Sequence, residues 1–194
     1  MLDAKPGHHV HPYTATIGMW LFLAALTMLF GATMMGYGIV RARLADKAQL
    51  GTLHLPHLLW LSTALMLGGS VAIHSAVVAV RRERQQRLRQ WLIATCALAI
   101  GFVAIQTPAM ASLLVQHRAF RAQGMHLYAL MFFLILIHAL HVLGGMIGLA
   151  VTTRHAFGGR YDHERYAGVK HAAMYWHFLD VVWLVMFFGM VLTG

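Results

Sequence analysis

The sequence predicts an all-α integral membrane protein, a bundle of five transmembrane helices, and three observations carry that prediction. Hydrophobic residues make up 59% of the 194-residue chain and charged residues only 11%, against about 45–50% and about 25% in soluble domains. Five apolar runs are each long enough to cross a bilayer, which takes about 20 helical residues. No stretch alternates polar and apolar residues with a period of two, which argues against a β-barrel.

In chain order the predicted spans are Thr14–Val40, Leu58–Val80, Trp91–Val115, Met125–Thr152 and Ala172–Thr193. The first is too long to be a cleavable signal core of about 7–15 apolar residues, and only Lys5 supplies a base before it. Short charged clusters end the next three: Arg81 to Arg89 after the second, Arg118 and Arg121 after the third, Arg154 to Lys170 after the fourth. One domain over residues 1–194 is expected at this length.

The net charge is +9. The bases sit between apolar runs and not along one amphipathic face or in a basic arm, so nucleic-acid binding is not expected. One side of the membrane receives 10 of them: Lys5, Arg81, Arg82, Arg84, Arg87, Arg89, Arg154, Arg160, Arg165 and Lys170. The other receives 5: Arg41, Arg43, Lys47, Arg118 and Arg121. The positive-inside rule then predicts a cytoplasmic N-terminus and an external C-terminus. The lone Cys96 lies in an apolar run and has no disulfide partner in the chain, which fits a small buried hydrophobe.

Polar groups in lipid are functional candidates, because burying one unpaired costs several kcal/mol. Asp180 is the only acid in any span; Asp3, Asp46, Glu83, Asp162 and Glu164 fall outside them. His74, His138, His141 and His177 are the histidines that accompany it. At i, i+3 spacing His138 shares a helix face with His141, and His177 with Asp180. A rise of ~1.5 Å per residue places Asp180 roughly 9 Å inside the cytoplasmic boundary, level with His141 on the antiparallel fourth span. The expected arrangement is an imidazole N–H of the fourth span donated to the Asp180 carboxylate of the fifth. Ligation of a b-type haem between facing histidines is the alternative. No HxxxH zinc spacing is present, and no Glu stands within a span to act as a base. The run His8, His9, His11 near the N-terminus is assigned no site. Gly68-Gly69-Ser70 and Gly144-Gly145 with Gly148 read as close helix–helix contacts. No nucleophile–base set, phosphate loop or carboxylate pair is present.

Tyr175 to Trp183 reads YWHFLDVVW, which resembles the last-helix signature of subunit III of the haem–copper terminal oxidases, the cytochrome c and quinol oxidases. His138-Ala139-Leu140-His141-Val142, followed by Gly144-Gly145, resembles that family's HGxHVxxG helix. Trp91-Leu92, Thr95, Gly101-Phe102 and Gln106 resemble another of its helices, and Gly18 to Gly31 resembles its first conserved one. The resemblance runs from about residue 13 to the C-terminus and covers the five-helix form of the family. It departs at three family carboxylates, replaced here by Leu26, by a residue near Ala109 and by Lys170.

The resemblance implies an accessory subunit without a catalytic centre, supporting stability and proton uptake. It further implies association with oxidase subunit I, haem and copper held by partner subunits, phospholipid bound between helices, and an inner bacterial membrane. It draws attention to His138, His141, Trp176, His177, Asp180 and Trp183 as the buried polar and aromatic link. A subunit-III-like part of a nitric oxide reductase, or a small b-type cytochrome or quinone-reactive anchor, remains open at this point.

Overall fold

The computed structural model describes residues 12–45, 58–119, 125–159, 161 and 166–193. His8, His9, His11, Lys5, Lys47, Arg121, Arg160 and Arg165 lie outside these, as does the side chain of Arg118. The described chain forms five helices: α1 (Pro12–Ala45), α2 (Leu58–Arg81), α3 (Gln85–Ala119), α4 (Met125–Phe157) and α5 (Ala167–Thr193). Each carries a segment long and apolar enough to cross a membrane, and no strand occurs among the described residues.

The helices overrun the predicted spans at their charged ends. Helix α3 begins at Gln85 and not at Trp91, so Arg87 and Arg89 belong to a helix and not to a loop. The α2–α3 connection needs only a tight turn in which Glu83 takes a left-handed φ of 57°. Arg89 then has a structural task. It donates from Nε to the Ala156 carbonyl (3.3 Å) and from Nη2 to the Phe157 carbonyl (3.4 Å). Those are terminal carbonyls of α4, which have no partner within their own helix. Gln85 Nε2 similarly donates to the Tyr161 carbonyl at 2.8 Å.

Helices α2, α3, α4 and α5 close a ring in which each packs on two others, and α1 lies outside it against α4 and α5. One apolar layer joins Ile73, Val80, Leu88, Leu92, Leu149 and Trp176. A second joins Leu59, Met66, Phe102, Val142, Trp183 and Phe187. Phe30 and Tyr37 of α1 meet Leu134, Ile135 and Met186 in a third. Outward, α1 exposes Trp20, Leu21, Met28 and Met35, a surface that lipid would cover.

Close approach falls on two of the glycines singled out above. A Cβ added at Gly69 would stand 3.1 Å from Trp176 Nε1, and one at Gly145 would stand 2.9 Å from Tyr175 Cε1. Gly148 has nothing within 4 Å of that position, so it is not a contact residue in this bundle.

Candidate functional site

Helix α5 carries four of the six candidate residues, and each of the four meets α2. Trp176 and Trp183 are seven residues apart, two helical turns, and so point the same way. Both are almost fully buried. Trp176 fills the notch opened by Gly69 of α2, and its Nε1 has no hydrogen-bond partner among the described residues. Trp183 donates from Nε1 to Thr63 Oγ1 of α2 at 3.0 Å. Its ring stacks on His138 of α4 (centroids 5.3 Å apart, planes 29° apart) and meets Phe102 of α3 edge-on at 5.6 Å. One indole thereby touches three other helices.

His177 and Asp180 face α2. The Ser70 hydroxyl shares a hydrogen bond with His177 Nδ1, in a direction set by the imidazole tautomer. The His74 ring lies 6.2 Å from that of His177. Ser70 also stands beside the Asp180 carboxyl. Even so, neither Asp180 oxygen has a partner of acceptable hydrogen-bond geometry among the described residues.

The histidines of α4 look elsewhere. His141 Nδ1 donates to the Ile137 carbonyl of its own helix at 2.7 Å, and its ring lies 5.3 Å from Phe30 of α1. His138 is 1% exposed and neither of its ring nitrogens is bonded.

The imidazole–carboxylate bond expected between the fourth and fifth spans is therefore not formed, and the reason is rotational. On α5 the side toward α4 is the one carrying Tyr175 and Leu179, which close on Gly145. His177 and Asp180 are turned to α2 instead. A polar link between α4 and α5 is the Tyr175 hydroxyl, which donates to the His141 backbone carbonyl at 3.0 Å. The six residues do not converge on a single centre.

Sequence reasoning passed over two participants. Within Gly68-Gly69-Ser70 the serine reads as a small packing residue, yet a hydroxyl one turn from His74 on a membrane helix is also a partner for an imidazole. Gln106 of α3 is 6% exposed, with neither its amide nitrogen nor its oxygen bonded. Its signal was the one that flagged the histidines: an amide within an apolar span, where a lone polar group is costly. Between α3 and α4 Gln106 and His138 line a cavity of about 310 Å³, with Trp183 of α5 also in its wall.

The family model described as cytochrome c oxidase subunit III matches residues 5–194. The chain belongs to the cytochrome c oxidase subunit III family. It is 32% identical to cytochrome c oxidase subunit 3 of Synechocystis sp., over 93% of this chain and 76% of that protein. Cytochrome c oxidase subunit 3 of Thermostichus vulcanus is 28% identical, over 92% of this chain and 87% of its own length. Quinol oxidase subunit 3 of Bacillus subtilis is 26% identical, over 92% and 86% respectively. Membership in the subunit III family accounts for the five apolar helices and the YWHFLDVVW segment together. It also identifies the chain as an integral membrane protein that associates with other oxidase subunits.

Of the three departures from the family pattern, Leu26 is a buried apolar side chain of α1 and Lys170 is half-buried on α5. Ala109 lies on α3 with its side chain outside the described residues. His138 is the one imidazole lining the cavity among the described residues, while His141 and His177 face α1 and α2. No group of three or more His, Cys, Asp or Glu among the described residues is placed to hold a metal ion.

The absence of an imidazole partner for Asp180 sets the effect expected of its replacement. A buried carboxyl with both oxygens unpaired is a net cost. Asp180→Leu removes that cost without orphaning a donor, since Ser70 and His177 keep each other. The bundle is expected to hold or gain about 1–3 kcal/mol. Thermal unfolding of the detergent-purified protein measures this, and a clear fall in the midpoint would show that the carboxyl has a partner after all.

Proposed function

We propose that the chain is the accessory, non-catalytic subunit III of a respiratory haem–copper oxygen reductase, bound to the catalytic subunit and supporting its stability and proton uptake. The observation that carries this is the family match over residues 5–194. None of the relatives named above is a nitric oxide reductase component or a b-type cytochrome. In this reading haem and copper reside in the partner subunits and oxygen chemistry takes place there. The contribution of this chain is a packed wall of helices that shields the catalytic subunit and orders lipid. Phospholipid bound along the exposed apolar faces belongs to the same proposal. No proton-carrying role is assigned to Leu26, Ala109 or Lys170, which stand where the family pattern has carboxylates.

The test is purification of the affinity-tagged chain from its native membrane. The expected result is stoichiometric recovery with a large haem-binding subunit and an a-, b- or o-type haem spectrum. Recovery as a stable, haem-free assembly of this chain alone would overturn the proposal.

The same proposal places the chain in a bacterial cytoplasmic membrane with the N-terminus inside and the C-terminus outside. The 10 to 5 division of Lys and Arg supports this. Single cysteines introduced beside each terminus, in a Cys96→Ser background, are expected to label from opposite sides. Labelling of both from one side would exclude the orientation.

A further inference from the structure

Deep in a span a polar side chain has to find its partner in protein, because lipid tails offer none. The hydroxyls of Thr27, Ser75 and Thr107 do so within their own helices, donating to the Leu23, Val71 and Val103 carbonyls, each at 2.8 Å. His74 of α2 does not. Its ring is exposed, and it has no hydrogen bond among the described residues. A neutral imidazole always carries one N–H to place. His74 precedes Arg81 by seven residues, which sets it roughly 10 Å inside the basic boundary at a rise of about 1.5 Å per residue. The His177 ring of α5 lies 6.2 Å away. Its Nδ1 is taken by Ser70, which leaves Nε2 without a partner among the described residues and not enclosed by the bundle.

The seam between α2 and α5 therefore presents two imidazole edges in the middle of an apolar surface. The carboxyl of the same span, Asp180, is buried and bonded to neither of them. Toward the basic boundary stand Arg81 and Lys170, and toward the other side the exposed Leu67, Val71, Val181 and Val185. This pattern discriminates among coverings. A lipid tail suits the valines but accepts nothing from His74, and lipid phosphates lie at the level of Arg81. A second copy in the same orientation would set Arg81 and Lys170 against their own counterparts, and the described seam brings no exposed acid to relieve them. What fits is a foreign transmembrane helix, apolar over most of its length, with one acceptor side chain at the depth of His74. The outward face of α1 asks for no such partner, since Trp20, Leu21, Met28 and Met35 need nothing that lipid lacks.

We propose that the α2–α5 seam docks a transmembrane helix of another oxidase subunit, and that an Asp, Glu, Asn or Gln of that helix accepts the N–H of His74. His177 adds a second contact beside the first. Its Nε2 donates to a carboxyl or amide oxygen in one tautomer and accepts from an amide N–H in the other. Ser70 already holds the His177 ring, so little side-chain freedom is lost when the helix docks. Arg81 and Lys170 favour an acidic residue where the partner helix leaves the membrane on the basic side. The inference rests on the assembly reading above and deepens it: that reading surrounds the chain with oxidase subunits, and the seam is the face they meet.

The test is photo-crosslinking in native membranes with benzoylphenylalanine placed at Val71 or at Val78, one turn to either side of His74 on α2. After irradiation the affinity-tagged chain is purified and its crosslinked peptides are mapped. Both positions are expected to crosslink to one membrane helix of another oxidase subunit, within a turn of an Asp, Glu, Asn or Gln. His74→Leu is expected to weaken retention of the chain in the detergent-solubilised complex about tenfold, the equivalent of one hydrogen bond of about 1.4 kcal/mol, with the chain present in the membrane at wild-type amount. His74→Gln keeps an N–H donor and is expected to restore most of the retention. Crosslinks to lipid alone, or to a second copy, in a preparation that still contains the other subunits overturn the docking surface and leave the assembly reading standing. Recovery of the chain by itself overturns both. Equal retention of wild type and His74→Leu removes the hydrogen bond given to His74 and overturns the proposal. The crosslinks are read with His74 in place, so they decide the matter even if His74→Leu fails to accumulate.

Discussion

Trp183→Ala is expected to destabilise the bundle by about 3–5 kcal/mol, the range for removing a buried large aromatic. The indole is 1% exposed and bonds Thr63 of α2, stacks on His138 of α4 and meets Phe102 of α3. Between membrane helices the attraction is van der Waals packing with a few hydrogen bonds, since lipid gives little hydrophobic drive for one helix to leave it for another. A side chain that joins four helices is therefore worth more than its area alone. Trp183→Phe keeps most of the ring and loses the N–H, so it should cost about 1 kcal/mol or somewhat more. Thermal unfolding of the detergent-solubilised chain in its native assembly, followed by loss of co-purifying subunits, measures both. Equal midpoints for wild type and Trp183→Ala would contradict the central position given to this residue.

Gly145→Leu is expected to separate α4 from α5. A Cβ there already falls 2.9 Å from Tyr175 Cε1 and 3.2 Å from Leu179 Cδ1, and the remaining atoms of leucine have no space to enter. Overpacking of this kind costs about 1–3 kcal/mol and occasionally more. The rise would also pull the Tyr175 hydroxyl from the His141 carbonyl, which it bonds at 3.0 Å. Gly148→Leu is the matched control, one turn further along α4, because nothing lies within 4 Å of its Cβ position. The expected outcome is loss of the chain from the assembled complex with Gly145→Leu and normal incorporation with Gly148→Leu. Disruption by both variants would mean that α4 tolerates no larger residue anywhere in that stretch, and close contact at Gly145 would not be the cause.

The sequence by itself determined the number, order and character of the helices. A bilayer leaves a backbone few ways to satisfy its hydrogen bonds, so an apolar run of sufficient length in an all-apolar setting becomes a helix. The helix ends were less legible. Arg87 and Arg89 read as loop bases, yet they sit on α3 because Arg89 reaches the terminal carbonyls of α4. The residues that matter were also visible as costly polar or aromatic groups in apolar runs: His138, His177, Asp180, Trp183 and, by the same reasoning, Gln106.

What only the tertiary structure decided was which of them meet. Helical spacing places His177 and Asp180 on one side of α5, but which neighbour covers that side depends on the rotation of α5 in the ring. The Tyr175 and Leu179 contact with Gly145 and the seat of Trp176 at Gly69 together turn His177 and Asp180 to α2. That leaves His138 stacked on Trp183 of α5, in the wall of the cavity that Gln106 also lines. Hydropathy and spacing are properties of one helix, whereas azimuth is fixed by the fit of side chains on several helices at once, and no single segment of the sequence encodes it.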